Sequence, residues 1–174
     1  MKKVLLLGAV AIASFAFGQR VQKGETQLNA GLGLGNSWGG LPIYAGVDYG
    51  IHDDITIGAQ ASFANKTDKL TGGYEQKLNW FSVGANGNYH FNRLLNIPNN
   101  WDLYAGVSLV YNKVSYKDNV SNNLGIDISG DSSSFGLAGQ VGARYYFTNN
   151  LGLNVEFGGG DFASGGKVGI SYKF

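Results

Sequence analysis

Gly166-Lys167-Val168-Gly169-Ile170-Ser171-Tyr172-Lys173-Phe174 alternates large apolar residues with small or polar ones up to the last position of the sequence. A water-soluble domain gains little by finishing on an aromatic residue at the tip of a strand. A closed sheet in lipid does gain, because its last strand must pair with its first and turn one apolar face outward. Parity then assigns Val168, Ile170, Tyr172 and Phe174 to lipid, and Gly169, Ser171 and Lys173 to the interior. The rest of the chain has to fall into register with that assignment.

The composition agrees with it. Among 174 residues there are 28 Gly, 2 Pro, 10 Tyr, 10 Phe and 3 Trp. Charged residues supply 14%, against about 25% in ordinary soluble domains. The aromatic content argues against disorder, and the lack of cysteine removes disulfides and thiolate metal sites. Met1-Lys2-Lys3 is a short basic region, Val4–Phe17 an apolar one, and Ala16-Phe17-Gly18 sets small residues three and one before a cut. Residues 1–18 are therefore expected to be a cleaved signal peptide, leaving 19–174 as one barrel domain. Without Lys2 and Lys3 the formal charge is 11 − 12 = −1. That balance, with no basic patch, gives no support for nucleic-acid binding. After Gln19 no run is long and apolar enough for a spanning helix, so the mature chain would cross a membrane only as strands.

From Thr26 onward the hydrophobic period is two. Eight such stretches follow, beginning near Thr26, Ile43, Ile55, Trp80, Trp101, Ser134, Leu151 and Lys167. Gln19–Glu25 reads as a polar tail, and 65–76 and 117–133 read as polar loops. The short breaks at 52–54 and 148–150 alternate with these longer connections, as short periplasmic turns alternate with longer external loops. The 92–100 connection is long for a periplasmic turn, and the 36–41 loop is short for an external one. The expectation is an all-β, eight-stranded antiparallel transmembrane up-and-down barrel, with its first strand rising from the periplasm.

Soluble barrels also alternate, but they place bulk inside and charge outside. Here the apolar face carries no charge across the expected spans, where Arg or Lys would cost roughly 2–4 kcal/mol at midplane. The opposite face is glycine and small polar residues, suited to a narrow interior filled by side chains. With these features in place, the chain resembles the small eight-stranded outer membrane protein beta-barrel domain family of Gram-negative bacteria. Its Gly- and Asn-rich composition resembles members from Bacteroidetes. The resemblance implies outer-membrane lipid as the surroundings and recognition of the terminal strand by the barrel-assembly machinery. Tyr172 and Phe174 occupy the matching positions.

The interior charges are Asp48, Asp102, Arg144, Glu156 and Lys173. Arg144 and Glu156 flank the 148–150 turn and are expected to pair across adjacent strands. Lys173 is expected to meet Asp102 or Glu156, and Asp48 to find its partner across the lumen. The two histidines, His52 in a periplasmic turn and His90 in the lumen, do not form a Ser–His–acid set at the external rim, so no enzyme is expected. Asp118, Asp127 and Asp131 lack calcium-motif spacing, and no cofactor or metal is expected. Trp38 is expected at the external interface. Three roles remain open: a monomeric barrel with a structural or adhesive envelope function and an unspecified external partner; a narrow channel; and a soluble periplasmic ligand-binding barrel.

Overall fold

A computed structural model describes residues 20–35, 40–70, 74–120, 126–161 and 164–174. The expected signal peptide, residues 1–18, and Trp38 lie outside the described residues. Eight strands follow in order: β1 (Thr26–Leu34), β2 (Ile43–His52), β3 (Ile55–Leu70), β4 (Tyr74–His90), β5 (Trp101–Val120), β6 (Ile126–Tyr146), β7 (Leu151–Gly160) and β8 (Ser164–Lys173). Each pairs antiparallel with its neighbour, and β8 returns to β1 to close the barrel. The closing ladder runs from Gln27 opposite Lys173 to Leu34 opposite Gly166. Closure leaves no unpaired strand edge in lipid, where each unsatisfied backbone group would cost several kcal/mol.

Parity is obeyed around the whole wall. Leu28, Val47, Ile57, Leu109, Val141 and Ile170 are exposed outward, while Asn29, Asp48, Thr56, Gln140 and Ser171 are buried inside. Aromatic pairs mark both ends of the greasy band. At the periplasmic end Trp101 packs on Tyr145 at 4.9 Å and Tyr172 on Phe174 at 5.0 Å; at the outer end Tyr111 packs on Phe135 at 5.0 Å. From Trp101 to Tyr111 the chain advances about 34 Å at roughly 3.4 Å per residue. Tilted by about 40°, that spans roughly 26 Å, close to the ~25 Å apolar height of such barrels.

The structure differs from the sequence-based expectation in three ways. The polar stretches 65–76 and 117–133 are mostly strand: β5 has 20 residues and β6 has 21, against 10 in β7 and 9 in β1. Above the lipid both faces of a strand are solvated, so the alternation that marks a strand in the sequence disappears while the ladder continues. The result is a four-stranded sheet, β3 to β6, standing well above a low wall of β7, β8, β1 and β2. Among the described residues its β6 edge is unpaired above Ala138, where pairing with β7 begins. Asp161 closes the first open rung: its N–H donates to the Leu137 carbonyl at 3.1 Å, and its carboxylate accepts from the Leu137 N–H at 2.9 Å. On the projecting sheet, the Ser115 hydroxyl and the Lys113 ammonium hold the Asp131 carboxyl below its usual range.

The second difference lies in the 92–100 connection, which contains a short helix, α1 (Asn92–Leu95). The third is the polar tail. Residues 20–25 turn under the barrel and close its periplasmic mouth, with Val21 fully buried. The Gly24 N–H donates to the Gly50 carbonyl at 2.8 Å, and the Gly50 N–H to the Glu25 carbonyl at 3.0 Å. A Cβ at Gly50 would strike the Gln22 carbonyl, so only glycine lets the tail dock.

Ile170 sits near mid-height on the lipid face. Ile170→Arg should lower stability by about 2–4 kcal/mol, read as loss of the heat-modifiable folded band on an unboiled gel. A band equal to wild type would refute the lipid-facing assignment of β8.

Candidate functional site

The lumen narrows because its inward positions mix long side chains with glycine. Gly142, for example, lies opposite Tyr104 in the β5–β6 ladder, and a Cβ there would overlap the Tyr104 ring. Tyr104 can therefore lie across the lumen. The Arg144 guanidinium stacks on it, with Cζ 4.1 Å from the ring centroid.

Arg144 is the centre of the interior. Its Nη2 donates to Asp48 Oδ2 at 2.9 Å and its Nη1 to Asp102 Oδ2 at 3.0 Å. All three residues are under 5% exposed. The network extends from there. Asn29 and Asn86 donate to the two oxygens of Asp48, at 2.9 and 3.1 Å. Tyr146 donates to Gln27, which donates to Asn29 at 2.8 Å. Polar side chains from β1, β2, β4, β5 and β6 thus meet in one cross-section of the lumen.

The expected Arg144–Glu156 pair does not form. Register sets Arg144 opposite Asn154, and Glu156 opposite Gly142 and Lys167. Glu156 instead accepts from Lys167 at 2.7 Å and from the Tyr104 hydroxyl at 2.9 Å. Asp48 does find its partner across the lumen, in Arg144. Lys173 meets neither Asp102 nor Glu156; its ammonium lies 3.3 Å from Glu25, in the docked tail. Lys167 is the charge that the sequence reading missed. Counting back from Lys173 by twos would have placed it inside.

Below the plug, His90 Nδ1 donates to Asp102 Oδ1 at 2.7 Å, and Nε2 shares a hydrogen bond of 3.0 Å with the Thr56 hydroxyl. Hydroxyl, imidazole and carboxylate stand in the order of a hydrolase triad. All three residues are 0% exposed, so no substrate reaches the hydroxyl. The set orients Asp102 toward Arg144. His52 lies at the surface, accepting the Asp54 N–H at 3.2 Å. Asp54 is buried under the tail and held by Arg20, at 3.2 Å, and by Arg93 of α1. Among the described residues no group of three or more His, Cys, Asp or Glu is placed to hold a metal ion.

Arg144→Ala would leave Asp48 and Asp102 buried without their cation, and breaking such a pair costs about 3–5 kcal/mol. Urea unfolding of the refolded barrel should show that loss. Arg144→Met combined with Asp48→Asn and Asp102→Asn should recover most of it. A single substitution as stable as wild type would remove Arg144 from its central place.

The model of the family described as outer membrane protein beta-barrel domain matches residues 4–174. Among solved structures, the chain is similar to the outer membrane protein OprG from Pseudomonas aeruginosa: TM-score 0.69, 12% identity, 90% of this chain and 99% of that one. A major outer membrane protein from Thermus thermophilus gives a TM-score of 0.65 at 14% identity, over 86% and 99% of the two chains. Ail, the attachment invasion locus protein of Yersinia pestis, crystallised with a heparin analogue, gives 0.62 at 15% identity, over 88% and 100%. These likenesses establish the fold. Comparison with curated proteins gave no match.

Proposed function

The chain belongs to the outer membrane protein beta-barrel domain family, and from that premise we propose that it is a monomeric, non-conducting outer-membrane barrel that serves the envelope as an adhesive or structural element. The observation that carries the adhesive part is the mismatch in strand length. Strands β3 to β6 lift a polar sheet roughly 20 Å above the outer aromatic ring, by the strand rise and tilt used above. Among the described residues no strand other than β5 pairs with β6 beyond Leu137, and that edge offers backbone groups to an extended segment of another protein. The attachment protein Ail shares the fold, which supports the reading by analogy. Within the span the closed sheet has no edge left for a second copy.

A channel is disfavoured by the lumen itself, which is crossed in its periplasmic half by Arg144 and its carboxylates and covered below by residues 20–25. A soluble periplasmic barrel is disfavoured by the continuous band of exposed aliphatic side chains. Residues 1–18 act in this reading as a cleaved signal peptide, and Gln19 would be the first residue found by sequencing the mature N-terminus. A Bacteroidetes source rests on composition alone.

Two experiments test these roles. Replacing 114–132 by a short turn should leave a heat-modifiable barrel but remove cell–cell aggregation and attachment to protein-coated wells. Equal attachment would overturn the adhesive reading, and rescue of detergent sensitivity in a deletion strain by the truncated chain would favour the structural one. In planar bilayers the purified protein should give no stable unitary steps; reproducible steps would end the non-conducting reading.

Tyr172 and Phe174 are proposed to form the signal read by the barrel-assembly machinery. Phe174→Ser should lower outer-membrane yield several-fold in cells while refolding in detergent proceeds as for wild type. Parallel losses in both would make Phe174 a stability residue only.

A further inference from the structure

Above the Arg144 plug the lumen widens into a cavity of about 180 Å³. It is blind, because the plug forms its floor. Its wall holds one continuous rung of small polar side chains. Ser62 lies opposite Ser82, and Ser82 opposite Asn112, across β3, β4 and β5. All three are buried. Trp80, two residues before Ser82, is the next inward position toward the outer end. Facing these across the cavity are the glycine-rich walls of β7 and β8, with Gly158 and Gly165 in the lining.

Two buried donors have no hydrogen-bond partner among the described residues: the indole Nε1 of Trp80 and Nε of Arg144. Both residues line this cavity. An unpaired buried donor is costly, and a ligand oxygen would relieve it. The charges narrow the class of ligand. Arg144 and Lys167 are each engaged by Asp48, Asp102 or Glu156, and His90 is also bonded to Asp102, so the lining holds no surplus cation for an anion. Hydroxyls and amides both donate and accept, which matches a ligand whose own groups do both. Size narrows it further: a cavity of roughly 150 Å³ admits one six-membered ring.

We propose that the outer half of the lumen is a blind binding pocket for a single uncharged pyranose sugar. The Trp80 indole supplies an apolar platform and one donor, and the Ser62–Ser82–Asn112 rung reads the ring hydroxyls. This does not depend on the adhesive reading; it requires only the plugged barrel.

The test uses the full mature chain refolded in a zwitterionic detergent, since sugar-headed detergents would compete. D-Glucose, D-galactose and D-mannose are titrated by calorimetry, with the three tryptophan indole N–H signals followed by NMR. At least one hexose should bind saturably and move a single indole signal, the one lost in Trp80→Phe. That variant keeps an aromatic ring but removes the N–H, and should weaken binding about ten-fold. Ser82→Leu, which fills the cavity, should abolish it, with folding of each variant checked by heat-modifiable migration. Absence of saturable binding by all three sugars up to hundreds of millimolar would mean that the cavity holds only water. Binding unchanged in a folded variant, or gluconate binding as well as the neutral sugars, would equally overturn the proposal.

Discussion

Lipid offers no hydrogen bonds, so the backbone of every spanning strand must be satisfied by its neighbours. In this chain that constraint is met at one seam, where β8 lies on β1 from Gln27–Lys173 to Leu34–Gly166. A one-residue slip there would turn Val168, Ile170 and Tyr172 inward and Ser171 and Lys173 into lipid. Antiparallel pairing passes the same register from strand to strand around the wall. The lipid face, the lumen face and the two aromatic rings are consequences of it.

The seam also decides what the lumen contains. An eight-stranded cylinder is just wide enough to be filled by side chains, and this one is filled unevenly. In the periplasmic half, long polar residues converge on Arg144, and the docked tail seals the mouth. In the outer half the inward residues are largely Gly, Ala and Ser, and space remains. Burying Arg144 removes a charge from water, and two carboxylates with their own hydrogen bonds offset that cost. His90 belongs to this balance: by bonding Thr56 on one side and Asp102 on the other, it holds the carboxylate at the angle Arg144 needs. A triad-like arrangement here is a packing device, and its burial is what separates it from chemistry.

Much of the wall was legible because one physical rule governs it. Wherever a strand crosses lipid, outward residues must be apolar and inward ones need not be, so a period of two appears in the sequence. Leu28, Val47, Ile57 and Leu109 were readable for that reason. The rule lapses above the lipid. The outer thirds of β5 and β6 carry polar residues on both faces, lose the alternation and read as loops, although the ladder continues through them. Residues 20–25 read as a tail for a related cause: the sequence shows their polarity, but not that Gly50 leaves a slot for their backbone.

The sequence by itself determined the number of spanning strands, their parity, the closing partner of the last strand and the identity of most interior charges, because each follows from a local period repeated along the chain. Only the tertiary structure decided which charges meet. Arg144 and Asp48 are 96 residues apart, and their contact depends on the stagger of the strands and on Tyr104 lying across the lumen. Glu156 was drawn to Lys167 and Lys173 to Glu25 by the same stagger. Side-chain reach in a closed cylinder is set by its circumference and tilt, which no single strand encodes. The last strand therefore announced a barrel from its own nine residues, while the plug, the blind pocket above it and the projecting sheet emerged only when all eight strands were in place.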